Sequence, residues 1–152
     1  MESDRNPYAD VVGHRFPGAT ITTHGHLTWL WADAVGAKQD PEHVHPSYIL
    51  LMSLLGTGVE VPEILALVDF SFDQGALAGG YEIEYLAPLR PDVAYRVEAE
   101  VSEIERKRGR RMGTFDVFRY TVRVIDPESQ EVAVTNTTTW MIPRREADGA
   151  AG

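Results

Sequence analysis

The sequence contains no cysteine, which excludes disulfides and thiolate–zinc centres and fits a reducing compartment. It also lacks any apolar run near the roughly 18 residues that a membrane-spanning helix requires. Its opening, MESDRNPYAD, is acidic rather than basic and leads into no apolar stretch. No membrane association and a cytoplasmic location are therefore expected. Basic residues are scarce, with 14 Lys and Arg against 23 Asp and Glu and a formal net charge of −9. That balance opposes phosphate backbones, so no nucleic-acid partner is expected. There is neither a Gly-rich phosphate loop nor a nucleophile elbow. His24 and His26 flank Gly25, but a metal centre would need further ligands that the sequence does not place there, and no metal is expected.

What is present suffices for one domain with a sizeable core: 152 residues, 43% of them hydrophobic. Residues 1–17 are polar and turn-rich and read as an N-terminal arm with one short turn. Residues 18–143 read as a single domain, and the polar, small residues 144–152 as a disordered tail. After a brief strand at 19–23, Leu27, Leu30, Trp31, Ala34 and Val35 follow a helical stripe. Thr23 is its expected N-cap, Gly36 its stop, and packing on the core its expected role. Residues 40–56, DPEHVHPSYILLMSLLG, run from a polar entry into a stretch that is apolar on every side at helical pitch. The expectation is a buried central helix, with Pro46 at its first position and Gly56 as a left-handed residue just past its end. Residues 64–72 are apolar without a helical period, which leaves strand and irregular cover open.

From Gly79 the period becomes two. Tyr81, Ile83 and Tyr85, then Tyr95, Val97, Ala99 and Val101, then Phe118, Tyr120, Val122 and Val124, alternate with polar residues, and residues 132–142 are rich in β-branched side chains. Turns are expected at 88–92, 108–113 and 126–130. Long antiparallel strands after two helices make an α+β domain, with the sheet curled around the central helix.

Chemistry concentrates at the mouth of that helix, where Asp40, Glu42, His43 and His45 gather. A second cluster, Arg106, Lys107, Arg108, Arg110 and Arg111, holds five of the 14 basic residues in one short stretch. Such a cluster suits either a phosphate-bearing substrate or a solvated hairpin tip. Trp29, Trp31 and Trp140 suit an acyl tunnel or ordinary packing.

Three stretches carry a family resemblance. The helix up to Gly36 followed by DPEHVHPSY resembles the Asn-Pro-Leu-His-Val-Asp-Pro-Glu-Tyr passage of the MaoC-like dehydratases and R-specific enoyl-CoA hydratases. GGYEIEYLAPLRPD (79–92) resembles their strand and Pro-Leu-Arg-Pro-Gly-Asp turn, and TNTTTWMIPR (135–144) their closing strand. The resemblance implies the hotdog fold and addition or removal of water at an acyl-CoA-type thioester, with coenzyme A as part of the substrate and no other cofactor. It sets His43 on the family's catalytic histidine. The catalytic motif is degenerate: Lys38 stands where the family has an aspartate, five residues before the histidine, and no Pro-x-x-His-Gly turn follows the helix. Asp40 is the nearest carboxylate, and Asp40 with His45 is an alternative pairing at the family's spacing. The first turn after Pro46 is an expected source of N–H donors for the thioester oxygen, and the basic cluster an expected phosphate site.

The resemblance also implies a homodimer, or a heterodimer with another hotdog subunit. The alternative function is a non-catalytic hotdog subunit that binds acyl thioester and shapes a partner's active site. A thioesterase would need a carboxylate on the central helix, and residues 47–55 contain none.

Overall fold

The computed structural model describes residues 6–144. Its frame is a five-stranded antiparallel sheet: β1 (Ala19–Thr22), β2 (Leu77–Tyr85), β3 (Ala94–Gly109), β4 (Gly113–Ile125) and β5 (Val132–Pro143), in the order β1-β3-β4-β5-β2. The three long strands follow the period-two pattern closely. Val97, Ala99 and Val101 of β3, Tyr120, Val122 and Val124 of β4, and Val134 of β5 form one buried layer with Ile49 and Met52 of the central helix. The opposite face carries pairs such as Arg123 with Glu100, 3.0 Å apart.

That central helix, α2 (Ile49–Leu55), follows a tight turn over Pro46–Tyr48. It is not buried all round as its composition implies. Ile49, Met52 and Ser53 face the sheet, whereas Leu54 and Leu55 are 39% and 53% exposed. Gly56 is not left-handed, with φ −74°. Glycine is required there by proximity, since a Cβ would stand 2.3 Å from Cγ1 of Val97. The helix thus rests on β3 with no room for a methyl group.

Three other expectations are corrected. Helix α1 (Gly25–Ala34) starts from His24, not from a Thr23 cap, and buries Thr28 and Ala32. Leu27, Leu30 and Val35 of the expected core stripe are exposed instead. Residues 61–66 form a third helix, α3 (Val61–Ala66), which runs into the 64–72 segment where strand and irregular cover were open. Its start is fixed by the Glu60 N–H donating to the Glu63 carboxylate at 2.8 Å. The described part of the N-terminal arm is bound to the sheet: Phe16 is buried, its N–H donates to the Ala99 carbonyl, and the Val101 N–H donates to His14. The expected tail lies, apart from Arg144, outside the described residues.

Arg144 and the arm meet at Asp116, whose side chain is fully buried. Its carboxylate accepts from Arg106 Nε at 3.0 Å, Arg144 Nε at 2.8 Å and Asn6 Nδ2 at 2.9 Å. Burial alone pushes this carboxyl up, but the two guanidinium groups outweigh it and hold the group below its ordinary value. A depressed folded-state pKa stabilises above the unfolded-state value and is lost as pH falls through the folded one.

Two outcomes are expected. Gly56→Ala costs about 1–3 kcal/mol by overpacking, measured by urea unfolding; a stability equal to that of the parent would show that α2 shifts freely. Asp116→Asn costs about 3 kcal/mol, at the lower end for a broken buried ion pair because Arg106 reaches solvent. The difference in melting temperature should hold from neutral pH down to about the unfolded carboxyl value of 3.8 and close only below it.

Candidate functional site

The site is built where the end of β2, the loop that follows it and the polar entry to α2 converge. Backbone bonds hold these pieces together. Leu86 and Ala87 N–H groups donate to the Ala133 carbonyl at 2.8 and 3.1 Å, and the Val44 N–H donates to the Leu89 carbonyl at 2.8 Å. Arg90 anchors the same loop from its other end, donating to Asp126 at 3.0 Å. Between them opens a mainly apolar cleft of about 560 Å³, lined by Val44, Pro46, Leu86, Ala87, Pro88 and Leu89, with Asp40, His43 and Tyr85 as its polar members.

Asp40 and His43 are brought together. Asp40 folds back on its own chain: one oxygen accepts the Glu42 N–H at 2.9 Å, and the other lies 2.9 Å from His43 Nδ1. This is an Asx turn, which proline at 41 favours by fixing its own φ. The bond to the Glu42 N–H, then that to His43, hold the Asp40 carboxyl below its ordinary value. An anionic Asp40 accepting at Nδ1 fixes the tautomer and leaves Nε2 of His43 as the nitrogen with a lone pair. Both side chains are half exposed, 51% for Asp40 and 44% for His43.

His45 does not join them. Its Nδ1 accepts the Ser47 N–H at 3.2 Å and lies 2.7 Å from the Ser47 hydroxyl, which itself accepts Trp31 Nε1 at 2.8 Å. His45 therefore caps the turn that leads into α2, and Asp40 pairs with His43, not with His45. The same bonds correct the expected donor set. The Ser47 N–H is held by His45, the Tyr48 N–H by the His45 carbonyl, and Pro46 has none. The first turn after Pro46 thus offers the thioester oxygen no free N–H.

Tyr85 was not singled out by the sequence, because its place in an alternating strand made it read as core. Its hydroxyl donates to the Pro46 carbonyl, and burial pushes its pKa up to about 12. It is the only hydroxyl among the described residues lining the cleft, and it stays protonated at neutral pH.

The basic cluster lies elsewhere. Gly109 pairs with Gly113 at one end of the sheet, whereas the cleft sits beside Ala94 and Ile125 at the other. Sixteen residues of β3 separate the two ends, about 50 Å at strand rise. Within the cluster, Arg106 is committed to Asp116, and Lys107 lies 3.7 Å from Glu105. Arg108, Arg110 and Arg111 flank the turn itself. This chain does not place the five basic residues beside His43. Of the tryptophans, Trp31 packs its edge on Tyr48 at 5.1 Å and Trp29 is exposed. His24 and His26 stack at 6.0 Å, with His24 3.6 Å from Asp92.

No protein-family model matches the sequence, and no curated protein matches it. Solved structures do. One chain of the HadBC (3R)-hydroxyacyl-ACP dehydratase complex of Mycobacterium tuberculosis superposes with a TM-score of 0.67 at 11% identity, covering 88% of this chain and 98% of that one. The (R)-hydratase of A. caviae involved in PHA biosynthesis gives 0.52 at 15%, covering 87% and 96%. A MaoC-like dehydratase of Rhodospirillum rubrum gives 0.50 at 21%, covering 89% and 94%. Across this spread of sequences the shared property is the antiparallel sheet laid against one central helix, and the chain has the hotdog fold.

Proposed function

We propose that the chain is a hydratase or dehydratase of the MaoC-like kind, adding water reversibly across the double bond of a 2-enoyl thioester. The observation that carries this reading is the Asp40–His43 pair at the polar rim of an apolar cleft. In the hydration direction Nε2 of His43 takes a proton from water as the oxygen bonds to the β carbon. The π electrons pass to the α carbon and thioester carbonyl as an enolate, and the imidazolium returns its proton to the α carbon. Asp40 holds the ring and stabilises the imidazolium. Tyr85, whose proton now goes to a carbonyl oxygen, is the donor suited to the enolate oxygen. The apolar members of the cleft suit an acyl chain, and the substrate brings coenzyme A or an equivalent carrier with it.

Tyr85 in the wall of the cleft ends the edge strand β2, which supports a two-subunit unit. The HadBC neighbour is itself a complex, and here a second hotdog would close the cleft. A non-catalytic subunit is the second reading, favoured by the exposure of both dyad members.

A test is hydration of short enoyl-CoA esters, followed by loss of the conjugated absorbance. His43→Ala is expected to lower turnover by about 10²–10⁴-fold, and Asp40→Asn to lower it in the same direction. Neither should shift the melting temperature much, since both side chains are half in solvent. His45→Ala is expected to do the reverse, costing about 0.5–2 kcal/mol as a lost cap while turnover of the folded protein persists. Acyl-CoA binding without turnover in the parent protein would establish the non-catalytic reading instead, and turnover that survives His43→Ala would sink the dyad.

A further inference from the structure

β2 ends the strand order, so one of its edges pairs with β5 and the other carries no strand among the described residues. Its inward side chains are left uncovered, with Tyr81 52% and Ile83 40% exposed. An edge beside apolar residues invites another strand, and proline, a bulge or charged side chains, lysine above all, usually guard against this. β2 has no lysine or proline, and its bulge lies at its start. It has Glu82 and Glu84 on the outward face, opposite Thr137 and Thr135 of β5. The nearest cation in those rows, Arg123, is one strand further on and is already paired with Glu100. Among the described residues, neither Glu82 nor Glu84 has a basic partner.

The charge pattern bears on what can pair there. Gly80, with φ +149°, and a register shift between Ala78 and Gly80 break the strand, so its regular part is 81–85. Two copies pairing this part antiparallel with full overlap would centre on Ile83. Glu82 of each copy would then stand directly opposite Glu84 of the other, twice over. Directly opposed like charges are destabilising, and a net charge of −9 on each chain adds to the repulsion.

We infer that this edge receives a strand from a different chain, one with lysine or arginine at alternate outward positions and apolar side chains toward α2. This deepens the reading of a cleft closed by a second hotdog by stating the partner's charge.

The experiment measures sedimentation of the full chain at micromolar concentration and low ionic strength. The double variant Glu82→Lys/Glu84→Lys serves as a probe of the partner's edge, and circular dichroism confirms that it folds. The parent alone and the double variant alone are each expected to sediment as monomers. Their equimolar mixture is expected to form a dimer that dissociates as salt is raised, because exposed charges are screened. A parent that dimerises by itself at low ionic strength would overturn the inference in favour of self-association. A mixture that stays monomeric would overturn it too, by showing that charge does not govern this edge. Turnover is not measured, so the result is independent of whether His43 is catalytic.

Discussion

The contact on which the structure depends is that of α2 with the sheet. Seven residues are too few to hold a helix in water by propensity alone. The helix persists because Ile49 and Met52 are locked into the layer of β3, β4 and β5 and because Gly56 lets its end approach Val97 without a Cβ between them. One polar bond fixes its rotation: Asn136 Nδ2 donates to the Ser53 hydroxyl at 2.7 Å, and that hydroxyl donates to the Ile49 carbonyl at 2.7 Å. In a dry environment such a pair is costly to break. Everything at the N-terminal end follows from this placement. The Pro46–Tyr48 turn is carried to the end of β2, and the chain segment before it, with Asp40 and His43, is set across from Leu86 and Leu89.

The same contact explains what is left uncovered. A short helix lying over β3, β4 and β5 cannot also cover β2, so Tyr81 and Ile83 remain in solvent. Neighbouring exposed apolar side chains on an open strand mark an interaction surface where they form a contiguous patch. The cleft borders this surface, since Tyr85 ends β2, Leu86 follows it, and both line the cleft.

The strands were legible because a half-buried sheet writes its geometry into alternate residues, and each of the four long alternating segments is a strand within a few residues. The helices were less so. α3 is only six residues long, below the window in which a 3.6 period can be recognised, and its signal lay in the spacing of Glu60 and Glu63 around a proline. For α1 and α2 the apolar positions were read as buried, but composition cannot say whether a face is covered by its own chain or by another. At the candidate site, His43 was picked out by its place in DPEHVHPSY and Asp40 as the nearest carboxylate. Their bond was not foreseeable from helical or strand spacing, because it is made by an Asx turn. Tyr85 was hidden by the alternation that identified its strand, and the donor turn after Pro46 was misread because His45 consumes one of its N–H groups.

Exposure sets the limit on what the dyad can do in this chain by itself. A carboxylate and an imidazole that are half in water are held together by an interaction the solvent weakens, and on the proposed reading a charge developing on a thioester oxygen would be screened in the same way. Closing the open side of the cleft would remove that water and strengthen the Asp40–His43 bond without moving either residue. On the same reading it would let the Tyr85 hydroxyl, which burial keeps protonated, turn its hydrogen bond from the Pro46 carbonyl to the thioester oxygen. A partner on β2 would therefore act on the chemistry by changing the dielectric around a geometry that the single chain has already assembled.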